Sequence, residues 1–66
     1  MRAKVNGAEW DLPDGASVGD VMRRLGVPAA GVAVAHEGAL VPRASWPDTP
    51  VKDGDTIEVL TAVQGG

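Results

Sequence analysis

Cysteine is absent from the 66-residue sequence. Its absence excludes disulfides, thiolate metal sites and a cysteine nucleophile, so any sulfur chemistry must use sulfur brought from outside. Histidine is nearly absent too. His36 is the single one, and without a second histidine or a cysteine it cannot complete a metal site, so it reads as a solvated turn residue. Positive charge is scarce, with six Lys and Arg against nine Asp and Glu and a net charge of −3. The resulting pI near 4.7 argues against nonspecific binding to nucleic acid, which needs clustered cations. Neither a signal peptide nor an apolar run long enough to span a bilayer is visible, so the expected compartment is the cytoplasm and no membrane partner is expected. Length adds a further limit: a chain this short buries only about 60% of its unfolded surface, which leaves little room for a deep catalytic pocket.

What is present is a regular alternation of short elements. Asn6-Gly7, flanked by alternating apolar residues, is the strongest short signal for a two-residue hairpin turn. Pairing Val5 with Ala8 sets Ala3 opposite Trp10 and Met1 opposite Leu12, so six apolar side chains share one face and Arg2, Lys4, Glu9 and Asp11 the other. Ser17 then predicts a helix cap, with Asp20 closing a capping box, and Val18, Val21, Met22 and Leu25 repeat at helical spacing. Arg23 and Arg24 suit the helix C-terminus, and Gly26 followed by Val27-Pro28 supplies the stop. Gly19 costs this helix about 1 kcal/mol relative to alanine, so packing must hold it.

Residues 31–35 are apolar on both parities, the pattern of a strand with neighbours on either side. His36-Glu37-Gly38 reads as a turn, Ala39 to Val41 as a short strand, and the segment to Pro50 as an irregular loop anchored by Trp46. Asp53-Gly54-Asp55 turns the chain into a last strand, Thr56 to Ala62, in which Ile57, Val59 and Thr61 alternate with Glu58, Leu60 and Ala62. The sum is an α+β chain, a β-grasp or ubiquitin-like fold with a mixed sheet of four to five strands and one helix packed on one face. Two parts are expected, a folded domain over residues 1–62 and a flexible tail over 63–66.

The tail ends in Gly65-Gly66. Glycines at a chain end are also what a frayed terminus tolerates, but these follow directly on a strand, and a segment without Cβ atoms can thread a channel too narrow for side chains. If Val63 to Gly66 detach as an extended segment, these four residues project the carboxylate about 13–14 Å from the sheet. That reach suits a buried active site on a partner.

Gly65-Gly66, Val41-Pro42-Arg43 with Trp46 three residues on, and Lys52-Asp53-Gly54-Asp55 before the last strand together resemble the ThiS family, the small sulfur carriers of thiamine biosynthesis. The likeness covers nearly the whole chain and is strongest from Ala33 to Gly66. One departure is His36-Glu37, where relatives often carry a small or amide residue before the glycine.

The resemblance implies that Gly66 is the site of reaction, with Gly65 and Gln64 as its slender approach, and that the chain is a protein co-substrate rather than an enzyme. An α-carboxylate, with a pKa of about 3.3–3.7, is ionised in the cell and is a poor acyl donor. The family's solution is adenylation of Gly66 by a separate E1-like enzyme (ThiF/MoeB-like), which consumes ATP; the carrier itself binds no cofactor and no metal. Sulfur derived from cysteine through a cysteine desulfurase then displaces AMP, leaving a thiocarboxylate that a thiazole synthase (ThiG-like) uses to build the thiazole ring. Expected partner contacts fall on the outward residues beside the tail, Leu60 and Ala62, joined by Ala33 and Ala35 if these share that face; scattered surface apolarity is the alternative. Arg43 either pairs with a partner or ties down its own loop, the loop being preferred. The free chain is expected to be a monomer. Carriage of sulfur for tRNA thiolation, molybdopterin or cysteine synthesis stays open, as do a ubiquitin-like modifier and a pure interaction module.

Overall fold

A computed structural model describes residues 1–27 and 30–61. Strands β1 (Arg2–Val5) and β2 (Ala8–Asp11) form the first hairpin, in the register counted from the sequence. Asn6 and Gly7 both adopt positive φ, 51° and 83°, as a type I′ turn requires at its two central positions. The hairpin continues one step past the strands, because the Met1 amine donates to Leu12 O at 3.0 Å and Leu12 N–H donates to Met1 O at 2.8 Å. Ala3, Val5 and Leu12 are buried and Trp10 is half-buried, whereas Ala8 at the turn is exposed.

Helix α1 (Val18–Leu25) begins with the expected capping box: the Ser17 hydroxyl accepts Asp20 N–H and the Asp20 carboxylate accepts Ser17 N–H. It stops at Gly26, whose φ of 73° aims its N–H at Met22 O, 3.1 Å away. Val18, Val21 and Met22 face the core. Gly19 has a reason beyond propensity, since a Cβ there would stand 3.2 Å from Pro47 Cα and 3.3 Å from Pro47 N. The helix therefore rests directly on the backbone of a neighbouring segment. Pro28, the second half of the expected stop signal, lies outside the described residues.

Three more strands, β3 (Val32–His36), β4 (Ala39–Val41) and β5 (Thr56–Thr61), complete a five-stranded sheet ordered β2-β1-β5-β3-β4. β5 runs parallel to β1 and antiparallel to β3, and β3 pairs antiparallel with β4. The sheet is thus mixed, with α1 on one face, and this is the β-grasp. β3 has neighbours on both sides as its apolar pattern predicts, although the middle position belongs to β5. The core lies between sheet and helix, where Ile57, Val18, Val21 and Val34 are the most deeply buried large side chains.

Two sequence expectations need correction. The stretch after Pro42 is not irregular: Arg43–Asp48 is a 3-10 helix with Pro47 inside it. So short a helix holds few i→i+3 bonds, and losing one at a proline costs little. Trp46 fixes it, buried as expected, with its indole N–H donating to Val41 O at 3.0 Å. Nor is His36 a solvated turn residue. Glu37 and Gly38, at φ 52° and 81°, make the turn by themselves and leave His36 in β3, paired with Ile57. Its Nε2 donates to Asp55 Oδ2 at 2.6 Å, and that same oxygen accepts Lys52 N–H at 2.8 Å. Asp55 is therefore more than a turn former.

Candidate functional site

Alternation along β5 sends Ile57 and Val59 into the core and Glu58 and Leu60 to the opposite face of the sheet. The register places Ala33 of β3 beside Leu60, and Ala35 between Glu58 and Leu40 of β4. Paired residues share a face, so Leu60, Ala33, Ala35 and Leu40 form one apolar area on the side away from α1. Leu40 and Leu60 are the large hydrophobic side chains that the described fold leaves exposed, at 75% and 63%. The alanines between them keep the surface low. An open, shallow depression, lined by Gly31, Val32, Ala33, Leu60 and Thr61, marks its end nearest the tail.

The other half of the same face is charged. On β1 and β2 the Arg2 guanidinium lies 3.4 Å from Glu9 and 3.7 Å from Asp11. All three side chains are well exposed, so these pairs add little stability. A partner meeting this face would bury leucine and alanine near the tail and meet mixed charge farther off.

Of the residues singled out in the sequence, Leu60 stands where alternation put it, and Ala33 and Ala35 do share its face. Ala62, Gln64, Gly65 and Gly66 lie outside the described residues, as does the expected boundary between domain and tail. Leu40 was missed. The signal was present, because a two-residue turn at Glu37-Gly38 pairs His36 with Ala39 and hence Ala35 with Leu40. Arg43 opens the 3-10 helix and is exposed. Among the described residues its guanidinium has no carboxylate or carbonyl partner, so the expected tie to its own loop is not found there.

Among the described residues no group of three or more His, Cys, Asp or Glu side chains could hold a metal ion, and no helix is long and apolar enough to cross a membrane. The perturbed acids serve the fold. At Asp20, the hydrogen bond from Ser17 N–H foremost lowers the pKa; burial opposes it, and the Ser17 hydroxyl and Arg23 add to the lowering. At Asp55, burial pushes the carboxyl up, but the hydrogen bonds from Lys52 N–H and His36 outweigh it with the nearby charges and carry it below its ordinary 3.8.

A family model described as the ThiS family matches residues 1–66. The chain belongs to the ThiS family. The sulfur carrier protein ThiS of Thermus thermophilus is 36% identical over 53 residues, covering 80% of this chain and 83% of that one. A thiazole synthase of Paramagnetospirillum magneticum is 32% identical over 66 residues, all of this chain but only 20% of the synthase's length. The crystal structure of the thiamine biosynthesis protein ThiS from Geobacter metallireducens matches at 32% identity over 100% of both chains, with a TM-score of 0.82. The five-stranded ThiS-family sheet thus carries its apolar outer area on β3, β4 and β5, the last of which leads toward Gly65-Gly66.

Proposed function

We propose that this chain is a sulfur carrier in thiamine biosynthesis and that its Gly66 carboxylate is the group that reacts. The observation that carries the reading is membership of the ThiS family over residues 1–66, supported by a sulfur carrier of that family as a relative. An oxygen of the Gly66 carboxylate attacks the α-phosphorus of ATP in a separate adenylating enzyme, expelling pyrophosphate and forming an acyl-adenylate. The terminal sulfur of a persulfide, charged by a cysteine desulfurase, then attacks the acyl carbon and AMP leaves with the bonding pair. A second thiol attacks the remaining sulfur–sulfur bond, so that a disulfide forms on the donor and Gly66 keeps a thiocarboxylate. A thiazole synthase takes that sulfur. The synthase of Paramagnetospirillum magneticum, with a segment like this chain within its own length, supports the pairing of carrier and synthase.

In this division of labour the chain supplies no acid, base or metal. It supplies a slender tail and a surface by which the tail is aimed. The apolar area around Leu60 and Ala33 suits that second task, because it lies on the strand that runs into the tail, and a partner seated there holds the tail's root. Adenylate chemistry then benefits from a reacting carboxylate delivered in one geometry.

Intact-protein mass spectrometry of the chain incubated with ATP, a ThiF-like adenylating enzyme and a persulfide donor tests the reading. The expected product is heavier by the difference between sulfur and oxygen, reacts with a thiol-directed alkylator, and is lost when Gly66 is deleted. Repeated absence of that mass would overturn sulfur carriage, and higher-mass conjugates through lysine would put a ubiquitin-like modifier in its place.

A further inference from the structure

We infer that Arg43 is the electrostatic contact by which this chain docks on its adenylating enzyme, pairing with a carboxylate at the rim of that enzyme's docking surface. The inference rests on the carrier reading above and deepens it by naming the residue that orients the encounter.

Position comes first. β4 runs antiparallel to β3, and Val41 pairs with Val34, while Val32 at the start of β3 pairs with Thr61. Arg43, two residues beyond Val41, therefore lies at the end of the sheet from which β5 runs into the tail. Rigidity comes second. Arg43 opens a 3-10 helix that is pinned by buried Trp46 through its bond to Val41 O, by Ser45 N–H donating to Pro42 O at 2.8 Å, and by the Thr49 hydroxyl donating to Ser45 O at 2.7 Å. The backbone beneath the guanidinium is fixed before any partner arrives.

Partnership comes third. Arg2 pairs with Glu9 and Asp11, Arg23 with Asp20, and Arg24 donates to Asp11 O at 2.9 Å while its guanidinium sits 4.9 Å from the centre of the Trp10 ring. Among the described residues Arg43 alone of the arginines has no such contact, and Asp48 in its own 3-10 helix does not take it. A planar guanidinium matches a carboxylate with two parallel hydrogen bonds, which fixes orientation as well as contact. In a chain with net charge −3 one rigidly held cation at the tail end of the sheet selects which way that end is presented.

The test uses the full chain with a purified ThiF-like adenylating enzyme, following ATP–pyrophosphate exchange as the carrier concentration varies, with R43E, R43A and R43K as variants. A rim charge acts on encounter more than on chemistry, so R43E is expected to raise the KM for the carrier about tenfold with kcat unchanged, and R43K to recover part of the loss. Raising salt from about 0.05 M to about 0.5 M raises the wild-type KM, leaves that of R43A nearly flat and lowers that of R43E, whose like-charge repulsion it screens. Thermal unfolding of all three variants stays at the wild-type midpoint. An unchanged KM in R43E, a fall in kcat alone, or a rise in KM matched by a lower midpoint would each overturn the inference. A wild-type chain that is never adenylated would overturn the carrier reading before any variant is compared.

Discussion

The side-chain amide of Asn6 holds both main-chain groups of Val59, its Oδ1 accepting the Val59 N–H at 2.7 Å and its Nδ2 donating to Val59 O at 3.3 Å. β1 pairs with β5 only through Lys4–Thr56 and Val5–Ile57, followed by Asn6 N–H donating to Ile57 O. The amide carries that ladder two residues farther toward the tail, across 53 positions of sequence.

Asn6 therefore meets two demands, a positive φ in the turn and a surrogate strand pair. Asn6→Gly keeps the turn and loses the bridge. Asn6→Asp keeps the acceptor but sets a carboxylate against the Val59 carbonyl. Both are expected to destabilise the fold by about 1–3 kcal/mol, aspartate the more. Urea unfolding at neutral pH measures it, and wild-type midpoints for both variants would show the bridge to be dispensable.

Gly19→Ala sets propensity against packing. Alanine gains about 1 kcal/mol in an unconstrained helix, but here its Cβ would press on the Pro47 backbone at 3.2 Å, and Pro47 follows the anchored Trp46. The expected net effect is destabilisation by about 1 kcal/mol, since overpacking of a fixed neighbour costs about 1–3 kcal/mol. A higher Tm for the variant would mean that the 3-10 helix moves aside freely.

The His36–Asp55 pair makes the fold sensitive to acid. Asp55 is lowered below 3.8 in the folded chain, so the unfolded chain takes up the proton first as pH falls. Its contribution is thus complete above the unfolded value and is lost as pH falls through the folded one. Tm should drop steeply below about pH 4 in the wild type and more gently in Asp55→Asn. His36→Ala, which removes one donor to that carboxylate, is expected to lower Tm at pH 7 by about 4–8 °C, the equivalent of roughly 1 kcal/mol in a domain of this size. Parallel acid limbs in the wild type and Asp55→Asn would assign the acid sensitivity to other carboxylates.

Leu60→Asp places a charge in the middle of the proposed docking area without touching the core, because Leu60 is 63% exposed. Adenylation should slow about tenfold or more, through the energetic weight of a central apolar contact, while the unfolding midpoint stays put. Unchanged kinetics, or an unfolded variant, would remove Leu60 from the docking face.

Where local chemistry decides the backbone, the sequence was readable. Asn6-Gly7 admits one turn, and that turn fixes the hairpin register; Ser17, Asp20 and Gly26 mark both ends of α1; alternation from Ile57 orients Leu60. Three features depended on what lies across the fold and were not legible. The 3-10 helix has too few residues to show a period, and Pro47 reads as a breaker. His36 acquires its role only when Asp55, 19 residues on, is folded against it. The reason for Gly19 appears only with Pro47 beside it. For the candidate site, the outward side of β5 could be read, the extension to Leu40 needed the β3–β4 pairing, and the guanidinium of Arg43, without a partner among the described residues, needed the contacts of the other arginines for comparison.

Among the described residues β5 is the last strand to be made and the middle strand of the sheet. Until Thr56–Thr61 leave the ribosome, the two hairpins made earlier have nothing to join them. A nascent or broken chain ending before Thr56 therefore cannot assemble the proposed docking surface, since Leu60 and the strand that joins β1 to β3 arrive together. An adenylating enzyme that selected by the proposed face would pass over unfinished copies without any separate means of detecting them.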